Sequence, residues 1–257
     1  MNVHYYDGGT PGNGRPVVLI HGAGMDHTGW RYQSRYLAHH GSRVRAIDLP
    51  GHGRTPGPLM RSVEMMAEWM VEHLGPGHDR GVFLIGHSLG GLVALEASAR
   101  ASDAVSGLVL MSCAARMNVH PDLQAAADRR QQRAVDLIMG WSYGTRGLLA
   151  GHPEPGLSVA GATRRLLEQG LACCLSNDLA AVRAYTNCRA AAGSVQVPTL
   201  VVAGSDDRMV PVRASEELAG LIADSRFEVI DRAGHMTMLQ APDKVRTLLS
   251  SFVESIG

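Results

Sequence analysis

The chain has 257 residues, of which 45% are hydrophobic and 19% charged. Its 24 basic and 24 acidic residues cancel, so it carries no electrostatic footprint for nucleic acid or an anionic membrane. The length suits one α/β domain with an inserted subdomain, or two small domains.

No apolar run nears the ~18 residues of a membrane span. Met1 to Asp7 has neither the basic nor the apolar region of a signal peptide, so none is expected. Cys113, Cys173, Cys174 and Cys188 show no CxxC spacing and no disulfide-dense framework, which points to a reducing cytoplasm. The adjacent pair Cys173 and Cys174 reads as small apolar filler in a helix rather than as a redox couple.

In chain order, Val3 to Tyr6 reads as an early edge strand and Gly8 to Arg15 as a turn region. Val17 to Ile20 is apolar on both faces, as a buried parallel strand should be. It ends at His21-Gly22-Ala23-Gly24. Trp30 to His40 reads as a helix stopped by Gly41. Val44 to Ile47 is the next strand, and Asp48-Leu49-Pro50-Gly51-His52-Gly53-Arg54-Thr55 is too rich in Gly and Pro to be regular.

From Met60 to Leu74, Val63, Met66, Ala67, Met70, Val71 and Leu74 recur at helical spacing. Ser62 is placed to cap that helix and Glu64 lies in its first turn. Gly75-Pro76-Gly77 breaks it. Strands then follow at Val82 to Ile85 and Leu108 to Met111, with a helix between them.

After Met111 the alternation stops. Ala114 to Gly193 offers no strand, only helical segments over Asp122 to Gly140, Thr163 to Leu175 and Asp178 to Ala192. Strands resume at Thr199 to Ala203 and Phe227 to Ile230, separated by a helix near Pro211. Pro242 opens a last helix with Val245, Leu248, Leu249, Phe252, Val253 and Ile256 on one stripe. This pattern predicts a doubly wound, mostly parallel sheet of about seven or eight strands. The core would span 1–113 and 194–257, with a helical cap inserted at 114–193.

The chemistry concentrates at strand ends. Gly86-His87-Ser88-Leu89-Gly90 is a nucleophile elbow, in which a strand turns directly into a helix with the Ser at the apex. Gly86 and Gly90 lack Cβ atoms, so the two arms can pass closely. A serine hydroxyl needs an adjacent base, and the base needs a third group to orient it. Candidates stand after two later strands, in Gly204-Ser205-Asp206-Asp207 and in Gly234-His235.

With His21-Gly22, Asp48 to Gly53, the elbow, Gly204-x-x-Asp207 and Gly234-His235 in that order, the chain resembles the α/β-hydrolase superfamily over nearly its whole length. The resemblance implies Ser88 as nucleophile, His235 as general base and then acid, and Asp207 as the orienting carboxylate. Asp206 is the rival for the acid role; the family's spacing from the Gly selects Asp207. The oxyanion hole is expected from the backbone N–H groups of Leu89 and of Ala23, with Gly24 the alternative to Ala23.

His87 is expected to pack under the elbow, and His21 and His52 to brace their loops. No metal-ligand spacing such as H-E-x-x-H occurs, so no metal and no cofactor are expected. Candidate pocket residues are Met25, Trp30, Met117, Met139, Trp141, Tyr143, Met209 and Met236, all of which also suit ordinary packing; Met25 and Trp30 in particular fit pocket and core equally.

The resemblance implies a serine hydrolase acting on a small or medium ester through an acyl-enzyme. Perhydrolase or haloperoxidase, lactonase, thioesterase and C–C hydrolase activities share the triad. Ser88 at the apex argues against dehalogenase and epoxide hydrolase branches, which carry Asp there. From a different class, a slow-turnover ligand-sensing receptor shares the fold. The expected partner is a small-molecule substrate, with no nucleic acid and no membrane, for a monomer or homodimer.

Overall fold

The computed structural model describes residues 3–9, 14–74, 81–149 and 158–256, with side chains left out for 144–149. The Gly75-Pro76-Gly77 breaker and the middle of the Gly8 to Arg15 turn lie outside the described residues.

The first strand, β1 (Tyr5–Gly8), is an edge strand, antiparallel to its neighbour. The chain continues through β2 (Arg15–Ile20), a helical turn at His27–Trp30, α1 (Arg31–His39), β3 (Ser42–Ile47) and α2 (Val63–His73). Next come β4 (Val82–His87), α3 (Leu89–Arg100) and β5 (Val105–Met111). Four helices follow without a strand: α4 (Pro121–Asp128), α5 (Gln132–Leu149), α6 (Val159–Cys173) and α7 (Leu175–Ala184). The chain closes with α8 (Cys188–Ser194), β6 (Thr199–Gly204), α9 (Val212–Ala219), β7 (Ser225–Ile230), α10 (Thr237–Gln240) and α11 (Pro242–Ser255).

The seven strands form one sheet in the order β1-β3-β2-β4-β5-β6-β7, parallel from β3 onward. Parallel strands must be covered on both faces, and alternation along each strand divides the core in two. Val17, Leu19, Phe83, Ile85, Val109 and Met111 face one side with Leu37 of α1 and Val245, Leu249 and Phe252 of α11. Val18, Ile20, Leu84, Leu108 and Leu110 face the other with Met66 and Met70 of α2, Leu92 and Leu95 of α3, and Ala191 and Ala192 of α8.

Local signals set the element ends. Ser62 Oγ accepts the Met65 N–H at the start of α2, as the sequence anticipates. Gly41 ends α1 with φ +89°, a conformation that costs glycine little. Two expected helices are divided. Arg130, at φ +52°, separates α4 from α5 within the predicted Asp122 to Gly140 segment. Tyr185, extended at ψ 117°, ends α7 inside the predicted Asp178 to Ala192 segment. Its hydroxyl donates to the buried Glu96 of α3 at 2.6 Å, and that polar anchor overrides the local helical pattern.

The four helices α4 to α7 pack on one another, whereas α8 lies against α3. Among the described residues, no helix is long and apolar enough to cross a membrane.

Candidate active site

Ser88 stands between the end of β4 and the start of α3, at φ 54° and ψ −116°. A non-glycine residue rarely adopts such a backbone, and one held there marks a position constrained by its surroundings. The constraint is visible. Ser88 N–H donates to the Met111 carbonyl at 2.9 Å, and Gly91 N–H donates to the Ser88 carbonyl at 2.9 Å. A Cβ on Gly86 would overlap the Gly90 carbonyl, and one on Gly90 would overlap the Ile20 and His21 carbonyls at the end of β2, so glycine at 86 lets strand and helix meet and glycine at 90 lets the helix approach the β2 end.

His235 Nε2 lies 3.1 Å from Ser88 Oγ, and His235 Nδ1 lies 2.8 Å from Asp207 Oδ2. The carboxylate keeps the imidazole proton on Nδ1, which leaves Nε2 to accept from the Ser88 hydroxyl. Asp207 is itself fixed: its Oδ1 accepts the Met209 and Val210 N–H groups, each at 2.8 Å. Its rival Asp206 is exposed and accepts from the Ser205 hydroxyl instead. The three side chains come from loops after β4, β6 and β7, and all three are buried.

The loop carrying His235 is anchored through its main chain. The His235 carbonyl accepts from His87 Nε2 at 3.0 Å and from Ser112 Oγ at 2.9 Å, while its N–H donates to the Ser142 carbonyl at 2.9 Å. His87 therefore does more than pack under the elbow. Its ring stands edge-on to that of His235, with centroids 5.0 Å apart. Burial, reinforced by His235, lowers its pKa to about 3, so the ring is neutral and donates through Nε2.

The loop after β2 lines the same cavity through Ala23 and Met25. Gly24 N–H is occupied, donating to Asp178 Oδ2 at 2.8 Å. Among the described residues, the N–H groups of Ala23 and Leu89 have no intramolecular acceptor. Leu89 is also the first residue of α3, where the helix dipole favours negative charge. His21 braces this loop to the next, as the sequence suggests: Nδ1 donates to the Gly22 carbonyl at 2.9 Å and Nε2 accepts the Leu49 N–H at 3.2 Å. Burial and the nearby His52 lower its pKa to about 4.

A cavity of about 230 Å³ opens at Ser88 and His235. Of the expected pocket residues, Met25, Met117, Trp141, Met209 and Met236 line it, together with Ala23. Trp30, Met139 and Tyr143 do not. They are 0%, 1% and 4% exposed and belong to the core cluster, with the Tyr143 hydroxyl turned to Thr163. Large apolar side chains suit a core and a pocket equally, and only the helix packing decides between them.

Sequence reasoning missed much of the wall: Val119, Leu123, Ile138, Leu167, Leu179 and Val182, with polar Asn118, His120 and Arg208. Leu179 and Val182 stand three apart on α7, a spacing that marks one helix face without saying what it faces.

Two groups gather potential metal ligands from loops distant in sequence: His4, His27 and Asp48, and His52, Cys174 and Asp178. In both the carboxylate is engaged by protein groups, most fully at Asp48. Asp48 accepts from the N–H groups of His27 and Arg54 and faces the His27 and His4 rings. Those contacts overcome the opposing effect of burial and hold its carboxyl far below the usual range.

The sequence pattern of the alpha/beta hydrolase family matches residues 17–248. The chain belongs to this family. It is 30% identical to a 2-hydroxy-6-oxo-6-(2'-aminophenyl)hexa-2,4-dienoic acid hydrolase of Metapseudomonas resinovorans, over 94% of this chain and 85% of that protein. It is 31% identical to a pimeloyl-[acyl-carrier protein] methyl ester esterase of Aromatoleum aromaticum, over 92% of this chain and 97% of that protein. Among solved structures, a thermophilic esterase superposes with a TM-score of 0.79 at 27% identity, covering 100% of this chain and 99% of that one. The fold anticipated from the strand-end motifs is thus the fold of the chain, and its relatives carry the names of hydrolases and esterases and, in one from Rhodococcus erythropolis 28% identical over 95% of this chain and 94% of that protein, of a non-heme haloperoxidase.

Proposed function

We propose that this alpha/beta hydrolase is a serine hydrolase that cleaves small or medium esters through an acyl-enzyme. The observation that carries the reading is the hydrogen-bonded line Ser88–His235–Asp207, 3.1 and 2.8 Å per link, at the floor of a largely apolar cavity.

As the Ser88 oxygen attacks the ester carbon, its proton passes to His235 Nε2, and Asp207 stabilises the resulting imidazolium. The carbonyl oxygen gathers charge and is met by the free N–H groups of Leu89 and Ala23. His235 then returns the proton to the leaving alcohol. Water repeats the sequence on the acyl-enzyme and releases the acid.

The cavity supports acyl groups of modest length. Methionines Met25, Met117, Met209 and Met236 supply an adaptable apolar wall. Helices α4 to α7, within the 114–193 insertion, act as the cap that closes it. Four free cysteines support a reducing, cytoplasmic setting.

A panel of p-nitrophenyl esters of increasing acyl length, run on wild type and on Ser88→Ala, tests the reading. Multiple turnovers that vanish in the variant are expected. Equal rates in the two proteins would exclude Ser88 as the nucleophile. Saturable binding with a single slow turnover would favour a ligand-sensing role.

A further inference from the structure

Asp178 of α7 is completely buried, yet the reaction sequence above gives it no part. It does not line the cavity that holds Ser88. Its Oδ2 accepts the Gly24 N–H at 2.8 Å and faces His52 Nε2 at 2.8 Å, and Asn177 Nδ2 lies 3.4 Å from its Oδ1. A buried carboxylate is costly unless it is paired and hydrogen-bonded. Here the pairing reaches directly into the loop that carries Ala23.

Gly24 is the third residue of a turn closed by the Met25 N–H on the Gly22 carbonyl at 3.2 Å. Its φ of +66° is the left-handed conformation that a type II turn demands at that position. Asp178 receives the N–H of the Ala23–Gly24 peptide and so fixes the plane of that peptide.

A second helix bears on the same point. A Cβ on Gly170 of α6 would overlap the Gly24 carbonyl and lie 2.7 Å from its Cα. Leu175, at the start of α7, covers the Gly24 Cα from another direction, 2.9 Å from where a Cβ would stand. The main chain beside Ala23 is therefore held by the α6–α7 pair through one hydrogen bond and two close contacts.

His52 completes the arrangement. Its Nδ1 lies 3.2 Å from the Pro50 carbonyl while Nε2 meets Asp178, so both nitrogens face acceptors. Burial opposes protonation, but the bond to Asp178 and its charge outweigh it and raise the pKa. Breaking one side of such a buried pair exposes the other to an unpaired environment.

We propose that Asp178 is a positioning residue for ester hydrolysis. With Gly170, it holds the Ala23–Gly24 peptide so that the Ala23 N–H is aimed at the developing oxyanion. The inference rests on the serine-hydrolase reading above. It makes two cap helices part of the transition-state machinery. Because the oxyanion exists only in the transition state, loosening this loop should lower kcat and leave KM in place.

The test compares wild type with Asp178→Ala, Asp178→Asn and Gly170→Ala, using a p-nitrophenyl ester and a boronic acid that mimics the tetrahedral intermediate. Misplacing a reacting group by an ångström costs on the order of 10²-fold. Asp178→Ala should lose about that much kcat with KM within about twofold, and boronate affinity should fall in parallel. Asp178→Asn retains an acceptor for Gly24 N–H and should recover most of the loss. Gly170→Ala keeps the carboxylate but displaces the loop, and should lose kcat in the same way.

A folded Asp178→Ala with wild-type kcat and boronate affinity would overturn the proposal, as would a loss confined to KM. If Asp178→Ala does not fold, Gly170→Ala and Asp178→Asn decide the matter on the same readouts. Wild type without turnover, or Ser88→Ala with full turnover, would instead refute the underlying reading and this inference with it.

Discussion

The loops at the ends of β4, β6 and β7 and the helices α4 to α7 face each other across the cavity, but they are encoded differently. At the strand ends Ser88 and Asp207 are held by contacts within a few residues or to an adjacent strand, while the His235 loop is held by main-chain hydrogen bonds to Ser112 after β5 and to Ser142 of α5. Ser88 is pinned by Met111 and Gly91, Asp207 by the N–H groups of Met209 and Val210, and His235 by Ser142 and Ser112. In α4 to α7, by contrast, the described residues that line the cavity are mainly apolar side chains placed by packing between helices. Whether Trp141 faces the cavity while Met139 faces the core depends on how four helices settle on one another. The Ser88–His235–Asp207 line rests on hydrogen bonds; the cavity wall rests on helix packing.

That contrast predicts effects of very different size. Ser88→Ala should lower kcat on the order of 10⁶-fold, as loss of a triad serine does elsewhere. Asp207→Asn should cost about 10⁴-fold by releasing the imidazole tautomer, whereas exposed Asp206→Asn should stay within about twofold. If Asp206→Asn proved the more damaging, the strand-end account would fail at that residue. Rates for one short-chain ester measured on the three variants decide it.

In α4 to α7 the expected changes are smaller and concern preference rather than rate. Leu179→Ala enlarges the cavity wall and should shift kcat/KM toward longer acyl chains by about tenfold relative to the acetate. An unchanged chain-length profile would mean that α7 does not bound the acyl site. Met139→Ala, in the core, should instead lower the unfolding temperature and leave the profile alone; its loss is on the order of 2–5 kcal/mol.

The same contrast governs what the sequence could tell. The succession of strands and the elbow were legible because each needs glycine, proline or a polar residue at a fixed offset from an apolar run, whereas Asp207 was separated from Asp206 only by resemblance to the family's spacing. Asp178 was not legible as a partner of Gly24. It reads as an ordinary first-turn helix carboxylate, and only folding brings it to a loop 154 residues away in sequence. The breaks at Arg130 and Tyr185 also escaped. Tyr185 is anchored on Glu96 by a tertiary contact that overrides a continuous helical pattern, and α4 closes on itself at Arg130, whose N–H and that of Gln131 return to the Ala127 and Ala126 carbonyls without the glycine that usually marks such an end.

The smallest effect should appear in the pH dependence of stability. His21 and His87 are held neutral, with pKa values of about 4 and about 3. The unfolded chain takes up these protons below about 6.5, while the folded chain does so only on reaching its own lower values. Between pH 6 and pH 4.5 the unfolded state thus binds more protons, and stability falls as the pH falls. The raised pKa of His52 and His27 acts in the opposite sense, but that contribution is fully present below about 6.5 and is lost only as pH rises. A melting temperature that declines through that acidic interval is expected, and a flat one would show that the buried imidazoles are protonated in the folded protein.

The central claim, that Ser88 is a nucleophile activated by His235, is tested most directly by covalent trapping. Intact-protein and peptide mass spectrometry after exposure to an alkyl fluorophosphonate would read the adduct formed when the serine oxygen displaces fluoride. The account predicts a single adduct per chain on the peptide containing Ser88, slower in Asp207→Asn and absent in Ser88→Ala. Labelling of Ser88→Ala at the wild-type rate, or an adduct on another residue, would contradict it.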